Sequence, residues 1–344
     1  MRIHVETNLL LVLIINAFVK IECFKITGDD LSLLNSNDGL WVFDDNEEIV
    51  RATADIPNDL LSSLISMNTH VRFYLYTRNL TGNYESITIG DVQSLKLSTF
   101  DATRETKFFA HGWMNSKSSK SCRLVREAYL VYGDFNVIIV DWSKIAKGTY
   151  IWSAMHVVQV GKHVAKMIDF LEEQGINLNT TSLSGHSLGA HVVGLAGYYA
   201  KNKVNYIVGL DPALPLFSFA GVGSRISTED AKQVEIIHTN AGFLGFLAPI
   251  GDADFYPNGG KRQVGCSIDF GGSCSHSRSY EFFAESIVSA VGFYGMNCKN
   301  YSSFVHGDCE GNICLMGGDN SNLISNGTYY LGTGTNYPYA KGIE

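Results

Sequence analysis

The chain has 344 residues, 45% hydrophobic and only 17% charged, enough for one large domain or two medium ones with a sizeable core. The low charged fraction and a 12% aromatic share exclude general disorder, and 34 glycines against 6 prolines exclude collagen-like and proline-rich classes. A formal net charge of −8 argues against nucleic acid as a partner and against electrostatic docking on an anionic membrane, though not against apolar contact with a neutral lipid surface.

The chain opens with an apolar run of 11 residues, Leu9 to Val19, preceded by Arg2 and His4. A membrane-spanning helix needs about 20 residues, so this run predicts a signal peptide over residues 1–23, cleaved near Cys23, and a secreted, extracellular protein. No other stretch is long and apolar enough to span a bilayer. Seven cysteines are present; removal of Cys23 leaves Cys122, Cys266, Cys274, Cys298, Cys309 and Cys314, an even set suited to disulfides. The short loops Cys266 to Cys274 and Cys309 to Cys314 are candidate bridges, with Cys298 to Cys309 as the alternative. Four glycosylation sequons, at Asn79, Asn179, Asn300 and Asn326, agree with an exported surface.

From Phe24 to Leu61 the chain is mixed and loop-rich. Strands are expected at 73–77, at 106–110, and at 136–140, where the continuous run NVIIV suits a strand buried on both faces. Helical periodicity spans 151–173, with Ala154, Val157, Val158, Val164, Met167, Ile168 and Leu171 on one stripe. A short strand at 181–184, a helix at 188–200, strands at 204–210 and 234–238, a late helix at 281–291 and a final strand at 329–331 follow. Strands alternating with helices predict one α/β domain over residues 24–344, built on a mostly parallel sheet flanked by helices.

The most informative segment is Ser182 to His191, which holds Gly-x-Ser-x-Gly centred on Ser187 between an apolar strand and a small-residue helix. Gly185 and Gly189 supply positions with no Cβ to clash in a tight strand–turn–helix elbow. The elbow sets the serine hydroxyl above the sheet, where the Leu188 N–H at a helix N-terminus can donate to an oxyanion.

A serine hydroxyl needs a base, and in such a fold the partners follow in the order Ser, acid, His. His276, next to a cysteine loop that would hold it firmly, ranks ahead of His238, which reads better as a buried, hydrogen-bonded histidine. His191 should face away along the helix, and His306 lies in a polar loop. Asp211 ends a strand on the same rim as Ser187 and ranks first as the acid. Asp141 precedes the serine and reads as a loop-bonding residue; Asp230, Asp252 and Asp254 rank lower. His111-Gly112-Trp113 follows an apolar strand, so the Trp113 N–H is the second candidate oxyanion donor.

With these residues in view, the sequence resembles the pancreatic lipase family of animal α/β-hydrolases, most nearly its short-lidded secreted phospholipases A1 of the insect type. The matching runs are FFAHGW (108–113), SLSGHSLGAH (182–191), VGLDPALP (208–215), VEIIHT (234–239), DFYPNGG (254–260) and GCSIDFGGSCSHSRSYEFFAES (265–286). The resemblance implies an α/β-hydrolase fold, a Ser187–Asp211–His276 triad, and Trp113 and Leu188 as oxyanion donors. It also implies that the Cys266–Cys274 loop, enclosing only residues 267–273, is a lid much shorter than in triglyceride lipases. The stretch Asn240 to Ala253, matching another substrate-covering loop, is short as well. The family's C-terminal β-sandwich has no counterpart after Tyr339, and no colipase-type partner is expected.

The segment Arg225 to Asp230 resembles the family's calcium loop, in which Ser227, Glu229 and Asp230 could supply oxygen ligands; no other cofactor is implied. The expected function is therefore a secreted serine esterase acting on the sn-1 acyl ester of glycerophospholipids. The rival readings are a neutral triacylglycerol lipase or galactolipase, and a non-catalytic yolk or storage protein.

Overall fold

The computed structural model describes residues 41–51, 66–80, 82–319 and 325–343; the expected signal peptide and Cys23 lie outside the described residues. The first element is an antiparallel hairpin of β1 (Trp41–Phe43) and β2 (Ile49–Arg51). The chain continues through α1 (Met67–His70), β3 (Arg72–Tyr76), β4 (Glu85–Ile87) and α2 (Val92–Leu97). Then come β5 (Thr106–Ala110), α3 (Lys120–Tyr132), β6 (Asn136–Asp141), α4 (Ser143–Ala146) and α5 (Tyr150–Glu173). The nucleophile region comprises β7 (Thr181–His186), α6 (Leu188–Tyr199) and β8 (Tyr206–Leu210). The remainder is β9 (Gln233–Ile237), β10 (Ala253–Pro257), α7 (Ser273–Val288), β11 (Tyr294–Asn297), α8 (Tyr301–His306), β12 (Ile313–Leu315) and β13 (Gly327–Leu331).

Strands β3 to β13 form one sheet in the order β12-β11-β13-β10-β9-β8-β7-β5-β6-β3-β4. Its central strands, from β13 to β6, run parallel. The edge strands β3 and β4 on one side, and β11 and β12 on the other, are antiparallel. Alternation along each strand divides the core. Phe108, Ile138, Val140, Leu183 and Ile207 face one layer, which α5 and α6 cover. Phe109, Val137, Ile139, Val208 and Leu210 face the other, covered by α3 and α7. Strands buried on both faces explain the apolar runs of β6 and β8. This is the α/β-hydrolase arrangement expected from the sequence.

The topology places the site. After β5 the chain crosses to β6 on one side, then returns to β7 on the other side of β5. The carboxyl ends of β5 and β7 therefore flank a switch point, where α/β sheets open a crevice. The loops carrying Trp113 and Ser187 both leave the sheet there.

Several expectations need correction. The late helix begins at Ser273, not near Glu281, so His276 stands in the first turn of α7 instead of hanging from a loop. The stretch read as loop-rich contains the β1–β2 hairpin, and α3 and β10 were not foreseen as elements. The Cys266–Cys274 bridge forms, but Cys309 pairs with Cys298, not with Cys314. Cys314 is held inside β12, whereas Cys298 and Cys309 flank α8 with Cα atoms 5.2 Å apart, well within bridging distance. Among the described residues Cys122 and Cys314 are free, and burial pushes the Cys122 thiol up to about 12.

Candidate active site

Ser187 joins β7 to α6 with φ 57° and ψ −123°, a conformation rare for a residue with a side chain and costing about 1–3 kcal/mol. The turn is locked at both ends: its N–H donates to the Leu210 carbonyl at 3.0 Å, and its carbonyl accepts from the Ala190 N–H at 3.1 Å. The glycines on either side have a steric cause. A Cβ on Gly185 would overlap the Gly189 carbonyl, and one on Gly189 would overlap the carbonyls of Ala110 and His111.

Asp211 leaves the end of β8, is fully buried, and adopts φ 46°. Its Oδ1 accepts the backbone N–H groups of Thr239 at 2.8 Å and Asn240 at 3.0 Å. Its Oδ2 lies 2.6 Å from Nδ1 of His276. A proton on Nδ1 makes that contact a hydrogen bond and frees Nε2 to act as an acceptor on the far side of the ring. The His276 carbonyl is itself fixed by the hydroxyls of Ser279 at 2.8 Å and Thr239 at 3.4 Å.

Ser187, His276, Gly112 and Trp113 line one cavity of about 220 Å³. The Trp113 indole donates to the Gly148 carbonyl at 2.8 Å, which anchors the turn bearing its backbone N–H. Among the described residues neither the Trp113 nor the Leu188 N–H is spent on another backbone group. Ser187, His276 and Trp113 thus share one cavity, with Asp211 behind the imidazole, as expected of a candidate nucleophile, base, oxyanion donor and acid.

A family model described as Lipase matches residues 41–339. The chain belongs to the lipase family. It is 33% identical over 273 residues to a pancreatic triacylglycerol lipase of Myocastor coypus, covering 72% of this chain and 59% of that protein. It is 34% identical over 261 residues to a pancreatic lipase-related protein 2 of Rattus norvegicus, covering 69% and 56% respectively. A pancreatic lipase-related protein 2 of Cavia porcellus is 36% identical over 255 residues, covering 70% and 56%. The chain thus spans less than two thirds of the length of these curated relatives.

The other candidates of this lipase-family chain sit elsewhere. His191 is buried on α6, with Nε2 2.8 Å from the Ala213 carbonyl and its ring stacked on Phe217 at 4.0 Å. His238 is fully buried, with Nε2 2.8 Å from Asp254 and Nδ1 2.8 Å from the Phe246 carbonyl. That occupies Asp254 as well, and Asp252 accepts the Val234 N–H at 2.8 Å. His306 ends the exposed helix α8. Asp141 accepts the Ser143 N–H at 3.0 Å and lies 3.2 Å from His111. Burial would raise its pKa, but those partners outweigh burial and hold it at about 2.

Sequence reading missed two contributors. The loop at 239–240 cradles Asp211 through backbone N–H groups, which carry no residue-type signature. The β1–β2 hairpin brings Val42, Phe43 and Glu47 into the cavity wall; it is pinned by Ser273 Oγ donating to the Trp41 carbonyl at 2.7 Å and Asn115 Nδ2 donating to the Phe43 carbonyl at 3.0 Å.

Of the three candidate calcium ligands, Ser227 and Asp230 are bonded to each other. Ser227 donates to Asp230 through its hydroxyl at 3.0 Å and its N–H at 2.8 Å, a self-contained capping box. Glu229 is exposed, and the Lys203 ammonium donates to its carbonyl. Burial pushes the Asp230 carboxyl up to about 7 against the lowering effect of Ser227. Among the described residues no group of three or more His, Cys, Asp or Glu side chains is arranged to hold a metal.

Proposed function

We propose that this chain is a secreted serine esterase that removes the sn-1 acyl chain of glycerophospholipids. Ser187 Oγ attacks the ester carbonyl as His276 Nε2 takes its proton. Asp211 holds the imidazole tautomer and balances the imidazolium charge. The N–H groups of Trp113 and Leu188 stabilise the tetrahedral oxyanion, about 3 kcal/mol per donor. His276 then protonates the departing lysophospholipid alcohol. Water, activated by the same imidazole, hydrolyses the acyl-enzyme and frees the fatty acid.

The observation that carries the phospholipid reading is the Cys266–Cys274 loop, closed at a sequence separation of 8. It is too short to lie across an acyl groove, and its apolar residues Ile268 and Phe270 are 82% and 57% exposed. An uncovered rim leaves room for a bulky polar head group. The loop at 240–250 likewise folds back over Asp211 through Gly242, Gly245 and Asn240 backbone bonds.

Two relatives' names carry a second reading: the proteins of coypu and mouse are pancreatic triacylglycerol lipases, which favours a neutral triglyceride. A galactolipid is the third ester class an open rim admits. A yolk-type carrier is disfavoured because nucleophile, acid and base are all present. Secretion is supported by two disulfides and by the exposure of Asn79, Asn179, Asn300 and Asn326. Contact with the lipid surface would be peripheral, since among the described residues no helix is long and apolar enough to cross a membrane.

Hydrolysis of phosphatidylcholine vesicles against emulsified triolein, with positional analysis of the released acid, tests the proposal. Release of the sn-1 acid in preference to attack on triolein is expected. A clear preference for triolein would replace the phospholipase reading with the triglyceride one.

A further inference from the structure

The cavity that holds Ser187 and His276 is also lined by the charged residues Asp44, Glu47, Lys120, Arg278 and Glu281. Lys120, at the first position of α3, reaches into it beside Glu47 of the hairpin turn and Glu281 of α7. Lys120 Nζ lies 3.0 Å from Glu281 and 3.4 Å from Glu47. The two carboxylates are not equivalent. Glu281 is 12% exposed and is also held by Arg278 and by the Tyr339 hydroxyl at 3.1 Å. The Glu47 carboxylate is 56% exposed, and its ion-pair partner is Lys120.

An ion pair this open contributes about 0–1 kcal/mol and exchanges readily. Its ammonium carries three donors, of which Glu281 needs one. The pair is therefore a plus and a minus charge, side by side at the mouth of a catalytic cavity, that can part at little cost. The ligand that re-pairs both is a zwitterion. Its anionic oxygens would replace Glu47 on Lys120, and its cation would replace Lys120 on Glu47. Net charge inside the cavity is unchanged by this exchange, which matters because uncompensated charge in a partly buried site is costly. A head group with a phosphate and no ammonium would satisfy Lys120 and leave Glu47 facing an added negative charge. A neutral glyceride offers nothing for either.

We infer that Lys120 and Glu47 form a head-group subsite for zwitterionic phospholipids, Lys120 receiving the phosphodiester and Glu47 the choline or ethanolamine nitrogen. The inference rests on the phospholipase reading and sharpens its substrate class.

The test uses dihexanoyl-phosphatidylcholine and dihexanoyl-phosphatidylglycerol as monomers, which removes membrane surface charge, with p-nitrophenyl butyrate as an ester lacking a head group. The wild-type protein should favour phosphatidylcholine over phosphatidylglycerol in kcat/KM by about tenfold, one charged contact's worth. E47Q should bring that ratio close to unity, and E47K should invert it. K120M should lower the ratio of phosphatidylcholine to p-nitrophenyl butyrate turnover by about tenfold, the loss of one phosphate contact. Unchanged Tm values show that the variants are folded. If the wild type cleaves phosphatidylcholine and these ratios do not move, the subsite is overturned while the phospholipase reading stands. If the wild type cleaves p-nitrophenyl butyrate and no phospholipid, both fall.

Discussion

Asp211 presents its two carboxylate oxygens to different tasks: Oδ2 lies 2.6 Å from His276 Nδ1, while Oδ1 is tethered by the N–H groups of Thr239 and Asn240. A carboxylate held this way cannot swing, so the imidazole against it is held in one orientation. An amide in its place would present an N–H to the ring and favour the wrong tautomer. Asp211→Asn should lower kcat on p-nitrophenyl butyrate by about 10⁴-fold with little change in KM. A loss of less than tenfold would show that the carboxylate does not set the tautomer.

Gly245 lies against the same carboxylate, and a Cβ there would overlap the Asp211 oxygens. Gly245→Ala should displace the acid by a fraction of an ångström and lower kcat by about tenfold to a hundredfold, since sub-ångström misplacement of catalytic groups is costly. Circular dichroism should show the fold retained. Unchanged kcat would mean that the loop yields instead.

The elbow glycine Gly189 abuts the backbone of Ala110 and His111 at the end of β5, which cannot rotate away as a side chain can. Gly189→Ala should therefore cost about 1–3 kcal/mol of stability, as overpacking does, and lower activity with it. Thermal unfolding measured beside ester hydrolysis checks this; a Tm equal to wild type contradicts it.

Glu235 on β9 is buried, accepting the Tyr206 hydroxyl and the Gly317 N–H, each at 2.7 Å. Burial raises its pKa from the ordinary 4.5 to about 7, despite the lowering effect of those two hydrogen bonds. The folded state thus binds this proton more tightly than the unfolded state. Its contribution is fully present below about pH 4.5 and is lost as pH rises to about 7, on the order of 3 kcal/mol. In denaturant unfolding, the stability of wild type minus that of Glu235→Gln should fall from pH 5 to pH 8. Identical slopes in the two proteins would contradict the assignment.

Much of this was legible in the sequence. Strands β6 and β8 carry apolar runs buried on both faces, and α5 carries its stripe in plain view. The candidate triad could be chosen from the sequence because each residue ends a strand or adjoins a disulfide, places where chain order and topology limit the choice. Other parts left a weaker trace. The hairpin strands, three residues each, are too short to show alternation. Helix α3 hides its buried stripe of Cys122, Val125, Ala128 and Tyr129 among Lys and Arg, although Ser119 caps it as a helix start should be capped. The serine-rich start of α7 favours a loop by propensity, and packing against α3 and β8 overrides that preference. The charged residues lining the cavity come from the β-hairpin, α3 and α7, and no local pattern could have assembled them.

If the proposed mechanism holds, Ser187 is an activated nucleophile. A fluorophosphonate probe followed by peptide mass spectrometry tests it most directly. A single stoichiometric adduct is expected on Ser187, abolished in Ser187→Ala together with ester hydrolysis and slowed severely in His276→Ala. An adduct on another residue, or a Ser187→Ala protein that still hydrolyses esters at the wild-type rate, would contradict it.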